Sequence, residues 1–494
     1  MKIFHINNYK LKIATVAILA IPLIGSISSC KKDFLTAAPE LSLPEADAFA
    51  NPTRILAQVN GLYLSIKQGS FLGGRYPVYN DIRAEEFFNR TGNGVTGTSV
   101  YNGTNVPSDT YIARFWSQGY LTINRVNLFL DGLAAHPGVL TDDVSANYAG
   151  EAKLIRALSY FSLVQIFAKP YVFDKGLSRG MPLRLKPETS LAGNSMKSSS
   201  VAAIYAQILK DLNEAELALP NTNGDNVTRA HKNTAIALKT RVYLAMANYA
   251  KVIEEANKIV SPVAPFKTTD AARTTHELQA DVAAVFRAPG LTTESIMSFP
   301  MAETNAPGTQ NAIGFYFNAP AGLEYYLNQS GAGIYVDPTW PAKDNRKAKL
   351  TADLKLSATN TIRLITKFSG ADPSLDNVPV IRYAEVLLNL AEAEALQAGG
   401  NLVRSRALLD AVRHRSDATY DFGVLATSAD LVATILKERR IEFLAEGLRY
   451  NDLARKAAPI PSFGAGSSIP VDDQRYTFPI PLQETTTNPE VNTM

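Results

Sequence analysis

Cysteine is nearly missing: Cys30 is the only one in 494 residues, so no disulfide and no cysteine-based zinc or iron–sulfur site can form within the chain. Histidine is sparse too. His5, His136, His231, His276 and His414 are scattered without HExxH or any comparable ligand spacing, and packing or surface roles suit them better than metal ligation. There is no GxSxG elbow and no P-loop. The stretch "GNGVTG", Gly92 to Gly97, meets the letter of GxGxxG, but no apolar strand precedes it and "TSVYNG" is not expected to open a helix, so it reads as a flexible loop. "NTNGDN", Asn221 to Asn226, lacks the length and terminal Glu of an EF-hand and reads as a turn. Glu85-Glu86 and Asp142-Asp143 are adjacent carboxylates, and adjacency alone does not make the acid and base of a glycosidase. The expectation is a protein without catalysis, cofactor or metal, with a surface glycoside hydrolase as the least favoured alternative.

No apolar run after the first 24 residues is long enough to span a membrane. Before that point three zones follow one another: Lys2, Lys10 and Lys12; an apolar run from about Ile13 to Ile24, interrupted by Pro22; then Ser26, Ile27, Ser28 and Ser29 ahead of Cys30. This is the order of a secretory signal. The run falls short of the roughly 20 residues that cross about 30 Å of hydrocarbon. The small residues against a cysteine resemble the lipobox of bacterial lipoproteins, which implies cleavage before Cys30 and acylation of it. Residues 1–29 are therefore read as a lipoprotein signal peptide, 30–45 as a lipidated tether carrying Pro39 and Pro44, and 46–494 as the folded body. More than one acyl chain is needed for stable anchoring, and the lipoprotein pathway adds several. The leader holds three lysines and no carboxylate, so the formal charge of +3 falls to about zero without it, which removes electrostatic support for nucleic acid as a partner.

The rest of the chain reads mostly as helix. In "TRILAQVNGLYLSIKQG", Ile55, Val59, Leu62 and Ile66 recur at spacings of three and four. "YIARFWSQGYLTINRVNLFLDGL" does the same, as does "YAGEAKLIRALSYFSLVQIFA", which stops before Lys169-Pro170 as a proline dictates. Further helices are expected in "SSVAAIYAQILKDLNEAELAL", "NTAIALKTRVYLAMANYAKVIEEANKIV", "PVIRYAEVLLNLAEAEALQAG", "LVRSRALLDAVRHRS" and, as one run, "SADLVATILKERRIEFLAEGLRYNDLARK". Strand-like runs are few, "SIMSFPM" and "TIRLITKF" among them. Breaks at Ala247-Asn248 and Gly399-Gly400 divide helices into pairs. Small residues Ala237, Ala245, Ala250 and Ala256 let such pairs approach closely, as in tetratricopeptide repeats. The fold class is mostly α: one large domain of tetratricopeptide-like helices with long inserted loops and few short strands. Arg439 with Glu442, Glu446 with Arg449, and Arg382 with Glu385 stand three apart and are expected to pair along their helices.

Two insertions interrupt the helices. Asn89 to Asp109 is rich in Gly, Asn, Thr and Ser and is not expected to form helix. Pro300 to Lys347 is a loop with Phe315, Tyr316, Phe317, Tyr325, Tyr326, Tyr335 and Trp340, an aromatic content that argues against disorder.

"VPVIRYAEVLLNLAEAEA" at Val378 to Ala395, "LKERRIEFLAEGLRYNDLAR" at Leu436 to Arg455 and "YTFPIPLQETTTNPEV" at Tyr476 to Val491 resemble the SusD-like (RagB/SusD) lipoproteins of Bacteroidetes-type bacteria. "FWSQGYLTINRVN", "EAKLIRALSYFSLVQIF" and "TESIMSF" support the resemblance, which runs over essentially the whole chain. It implies a lipid-anchored, surface-exposed protein of the outer membrane that captures oligosaccharides without cleaving them. It also implies a partner, a SusC-like TonB-dependent transporter barrel, to which the glycan is delivered. The alternatives are a scaffold or lid of that transporter with no glycan specificity of its own, or capture of peptide or another nutrient.

Sugar capture asks for flat rings against the C–H face of a pyranose and fixed polar partners for its hydroxyls. The resemblance places such contacts in loops of the two inserted regions. There the chain offers Tyr79, Glu85, Arg90, Tyr101 and Asn102 in and just before the first, and Tyr325, Tyr326, Asn328, Tyr335 and Trp340 in the second. Trp340 is the preferred platform, because the other tryptophan, Trp116, sits in a helical motif that reads as core.

Overall fold

An asparagine opens the first long helix. Asn51 Oδ1 accepts the Arg54 N–H at 3.0 Å, and Pro52 occupies the first turn, where its missing N–H costs nothing, so α1 runs Pro52–Ile66 with Ile55, Val59, Leu62 and Ile66 buried. The computed structural model describes residues 45–494 except 191–192, 269, 271, 321, 372 and 462–467; the leader, Cys30 and all but the last residue of the tether lie outside the described residues. Asp109 caps α2 (Thr110–Ala135) by accepting from Tyr111 and Ile112 N–H. α3 (Asp142–Phe167) ends before Lys169-Pro170, with Asp142 and Asp143 in its first turn, where the helix dipole favours negative charge. Then follow α4 (Val201–Ala218), α5 (Lys232–Ala245), α6 (Tyr249–Ala256), α7 (Tyr383–Leu396), α8 (Leu402–Ser416) and α9 (Ser428–Glu442).

Each of these helices packs on the next in sequence, which is the tetratricopeptide-like arrangement, and α7 also meets α5, α6 and α9. α7 is buried on every side from Tyr383 to Ala395, as a helix must be when it lies in the middle of the stack. Its polar side chains are all met: Glu385 by Arg241, Asn389 by Arg439, Glu392 by Arg455 and Glu394 by Arg404. Beside shorter helices such as Arg75–Ile82 and Leu482–Thr487 there are three two-stranded antiparallel ribbons: β1 (Phe87–Asn89) with β3 (Tyr325–Leu327), β2 (Ser295–Phe299) with β6 (Val378–Arg382), and β4 (Thr351–Lys355) with β5 (Thr361–Ile365). Residues 48–494 form one compact unit, and no described helix is long and apolar enough to cross a membrane.

A buried ion network ties α8 and α9 to the β2–β6 ribbon. Glu442 accepts from Arg415 at 2.5 Å, Arg346 at 2.9 Å and Arg382 at 3.0 Å, while Arg382 also meets Glu294 and Glu446. Arg346 and Arg413 share Asp344 and Glu438, and Lys367 meets Glu446. Five cations face five carboxylates with side chains no more than 4% exposed, so the desolvation each charge suffers is offset by opposite charge. Burial pushes the Glu442 carboxyl up, but the Arg415, Arg382 and Arg346 guanidiniums outweigh it and hold it well below its ordinary value.

Several local expectations are corrected here. The run from Ser428 does not continue as one helix: α9 stops at Glu442, Ala445 and Gly447 take left-handed backbone, and a separate turn starts at Arg449. Val378–Arg382 is strand, and helix begins only at Tyr383. The charge pairs expected within helices join distant elements instead: Arg439 meets Asp452, Arg449 meets Glu85, and Glu385 meets Arg241. Inside the first insertion Thr98–Asn102 does form a turn of helix, because Gly97 and Gly103 take left-handed φ at its two ends and Val100 is buried beneath it.

Candidate functional site

The three residues that lead into the first insertion pair with three of the second. Phe87, Phe88 and Asn89 stand opposite Leu327, Tyr326 and Tyr325 in the β1–β3 ribbon. Strand alternation then sorts the side chains: Phe87, Tyr325 and Leu327 turn to the core, while Phe88 and Tyr326 share the other face, half-buried, with ring centroids 5.7 Å apart.

The loop after β1 is held by its own amides and hydroxyls. Asn89 Oδ1 accepts from Thr91 and Gly92 N–H, Asn89 Nδ2 donates to Thr98 Oγ1 at 3.0 Å, and Asn93 Oδ1 accepts from Val95 N–H. Glu324 reaches across from the second insertion and accepts from the hydroxyls of Thr91 and Thr96, the latter at 2.7 Å. Arg90 N–H donates to the Glu324 carbonyl at 2.8 Å, and its guanidinium, on an exposed side chain, donates to the Leu323 carbonyl at 3.1 Å. So the loop that carries Tyr101 and Asn102 is fixed by side chains of both insertions.

Tyr101 is half-buried, with its ring 5.8 Å from that of Tyr325. Burial and the neighbouring Tyr326 phenol raise its hydroxyl above the ordinary value, against a backbone hydrogen bond at Asn89 that lowers it. Asn102, the last residue of the short helix, is exposed. Tyr101 thus lies beside Tyr325 and Tyr326, Arg90 directly follows β1, and the exposed Asn102 directly follows Tyr101. Phe88 joins them, a ring that sequence reasoning passed over; its only signal was the doublet Phe87-Phe88, of which strand alternation buries one.

The remaining candidates are buried, apart from the half-buried Tyr335. Trp340 is not a surface platform: it is 2% exposed and packs edge-to-face on Tyr335 at 6.1 Å. Lys347 crosses the same pair, its ammonium 4.5 Å from the Tyr335 ring centre and donating to the Tyr335 and Trp340 carbonyls. Tyr335 is half-buried and belongs to this packing cluster. Tyr79 is enclosed, accepts from Arg75 and lies edge-on to Phe478; burial pushes its hydroxyl up to about 12. Tyr325 is enclosed as well, donating to the Thr96 carbonyl at 3.1 Å. Asn328, 9% exposed, donates to the Glu85 carbonyl at 2.8 Å.

Glu85 is gripped by Arg449 and Arg440. Burial pushes its carboxyl up, and the two guanidiniums outweigh this and hold it below the ordinary carboxylate value. Glu86 binds Arg440 at 2.5 Å and accepts from Ile334 N–H, and burial raises it. Both carboxyls serve the junction of β1 with α9 and neither faces solvent. Among the described residues no group of three or more His, Cys, Asp or Glu could hold a metal.

Two family models match the chain: one described as starch-binding, associating with the outer membrane, over residues 33–244, and one described as the SusD family over residues 357–493. SusD-like protein P2 of Formosa agariphila is 25% identical over 530 aligned positions that cover 98% of each chain. Among solved structures, a SusD superfamily protein of Bacteroides fragilis superposes with a TM-score of 0.80 at 33% identity, over 90% of this chain and all of that one. A laminarin-binding SusD-like protein superposes with a TM-score of 0.70 at 22% identity, over 89% of this chain and 98% of its own, a likeness of fold. With one-third identity across the whole of a solved relative and matching models at both ends of the sequence, the chain belongs to the SusD family.

Proposed function

We propose that the protein binds oligosaccharides, without cleaving them, at the surface formed by Phe88, Tyr101 and Tyr326 with Arg90 and Asn102, and passes them to a SusC-like TonB-dependent barrel in the outer membrane. The observation that carries the binding surface is the β1–β3 pairing, which sets the half-buried rings of Phe88 and Tyr326 side by side at the entry to the first insertion. Rings present apolar faces to a pyranose, and the arginine and the amide suit its hydroxyls. The description of the family model over residues 33–244 and the laminarin-binding relative support a glycan as cargo. The lipobox-like run before Cys30 supports anchoring through lipid at that residue, with the body on the cell surface.

Titration calorimetry of the purified protein against a panel of neutral oligosaccharides tests the site. Each ring removed is worth about 1 kcal/mol, so Tyr326→Ala is expected to weaken binding about fivefold and Tyr101→Ala with Tyr326→Ala more than tenfold. Unchanged affinity in the double variant would remove this surface from the binding site. Released shorter sugars would show a hydrolase instead. Protease shaving of intact cells, together with Cys30→Ala, tests the anchor: wild type should be degraded at the surface and the variant should leave the membrane fraction.

A further inference from the structure

The C-terminal segment forms one wall of a cleft whose lining includes neither Phe88 nor Tyr326. Phe478 N–H donates to the Ile166 carbonyl at 2.9 Å and Leu482 N–H to the Pro107 carbonyl at 2.8 Å, which ties the segment to the end of α3 and to the far end of the first insertion. Between them lies a cleft of about 600 Å³ whose lining includes Gly103, the residue after Asn102. That volume is within the range of about 300–1,000 Å³ typical of small-ligand sites.

Its lining is unlike the ring surface. Arg179 and Arg475, both exposed, line it, and among the described residues no lining side chain is a carboxylate. Arg475 is held from one edge by Asp473, whose carboxylate lies 2.7 Å from Nη2 and 3.1 Å from Nε, so that charge is balanced. Arg179 has no acidic partner among the described residues. Its Nη1 donates to the Asn492 carbonyl at 2.7 Å and to Asn492 Oδ1 at 3.2 Å, which fixes the guanidinium by neutral groups and leaves its charge uncompensated. Ile480 and Leu482, the latter 54% exposed, add apolar wall.

We propose that this cleft is a second saccharide subsite that takes an oxyanion carried by the sugar, a carboxylate or a sulfate ester, on Arg179, with the sugar's C–H face against Ile480 and Leu482. A guanidinium offers the planar fork that carboxylate and sulfate oxygens fit, and a neutral sugar would leave that charge unanswered. The inference rests on the reading that the protein binds glycans, and it makes acidic glycans its cargo class.

The test is calorimetry on the purified full chain with three probes matched in length: a neutral glucan, an unsulfated uronate oligomer and a sulfated galactan oligomer. At least one acidic probe is expected to bind, and Arg179→Gln to weaken it tenfold or more while leaving neutral-glucan affinity unchanged. Loss with the uronate assigns a carboxylate, and loss with the galactan a sulfate. Because Arg179 also anchors Asn492, Arg475→Gln and a thermal melt of both variants separate subsite from fold, and a smaller loss confined to acidic probes in Arg475→Gln supports the cleft. Wild-type affinity for the acidic probes in Arg179→Gln, or binding of the glucan alone, overturns the subsite and leaves the glycan reading standing. Binding of none of the three overturns both.

Discussion

His231 and His276 form a buried pair with a complete chain of hydrogen bonds. The Thr293 carbonyl can only accept, so His276 Nδ1 donates to it at 3.2 Å; His276 Nε2 then accepts from His231 Nε2 at 3.3 Å, and His231 Nδ1 accepts from the Thr234 hydroxyl at 2.9 Å. Protonating His276 Nε2 would cost the hydrogen bond from His231, and either added charge would be buried. Burial above all, with the repulsion of His276 at His231, lowers the two values to about 3 and about 4. The unfolded chain takes up these protons as pH falls through about 6.5, while the folded chain does not until about 4. This contribution to stability is therefore complete above pH 6.5 and is lost as pH drops towards 4 and 3. Urea midpoints of wild type should fall between pH 7 and 4, and the doubly substituted His231→Gln, His276→Gln protein should fall less over that interval; parallel curves would refute the assignment. Glu442 tests the other buried feature. Its removal leaves Arg346, Arg382 and Arg415 short of a shared partner, so Glu442→Gln is expected to cost about 3–5 kcal/mol in denaturant unfolding, against less than about 0.5 kcal/mol for Glu254→Gln in the exposed Lys251–Glu254 pair. Equal losses in the two would show the network to be no stronger than a surface contact.

The short elements around the ring surface depend on backbone that only glycine tolerates easily. Gly97 has φ of +95°, and a Cβ there would lie 3.0 Å from the Tyr79 ring and 3.1 Å from Ile82 Cδ1, whereas Gly92, with φ of +64°, has nothing within 4 Å. Gly97→Ala should therefore lower the melting temperature more than Gly92→Ala, which bears only the backbone cost of about 1 kcal/mol, and should also weaken glycan binding by moving Tyr101 and Asn102. Equal effects would mean that the loop yields. The contrast also explains what was readable in the sequence. α1 to α6 follow from the spacing of residues such as Ile55, Val59 and Leu62, because one helical face meets the core and the period repeats over several turns. β1 and β3 have three residues each, too few for a period to show, and their pairing joins positions more than 200 residues apart. The same distance hid the charge pairs: Arg449 has Glu446 at helical spacing, yet an intervening left-handed Gly447 turns it to Glu85. Trp340 was misplaced because rarity says nothing about burial, and a loop folded on itself buries its largest ring as readily as a helix does.

At the scale of the whole molecule, residues 477–494 act as a strap across the first half of the chain. Phe478 is 2% exposed and stacks edge-on against Tyr79 and Phe167, and Val491 is fully buried. Glu484 accepts from Trp116 Nε1 at 3.2 Å, Asn488 Oδ1 accepts from Met196 N–H, and Thr493 O accepts from Ser198 N–H. The strap thus covers α2, α3 and the segment before α4 at once, and it also forms one wall of the Arg179 cleft. Removing it uncovers Phe167 and Tyr79, and Tyr79 supports Gly97 and with it the ring surface. Phe478 and Val491 alone represent about 3–6 kcal/mol of apolar burial, enough to threaten a domain of ordinary marginal stability. Deletion of residues 477–494 is therefore expected to lower the unfolding midpoint sharply. At temperatures where the shortened chain is still folded, it should weaken neutral-glucan binding and abolish the acidic-probe response. Phe478→Ala isolates the first step: a stability loss of about 3 kcal/mol with the cleft arginines intact. A deletion variant that melts with wild type would show that the strap is an addition to a fold already complete without it.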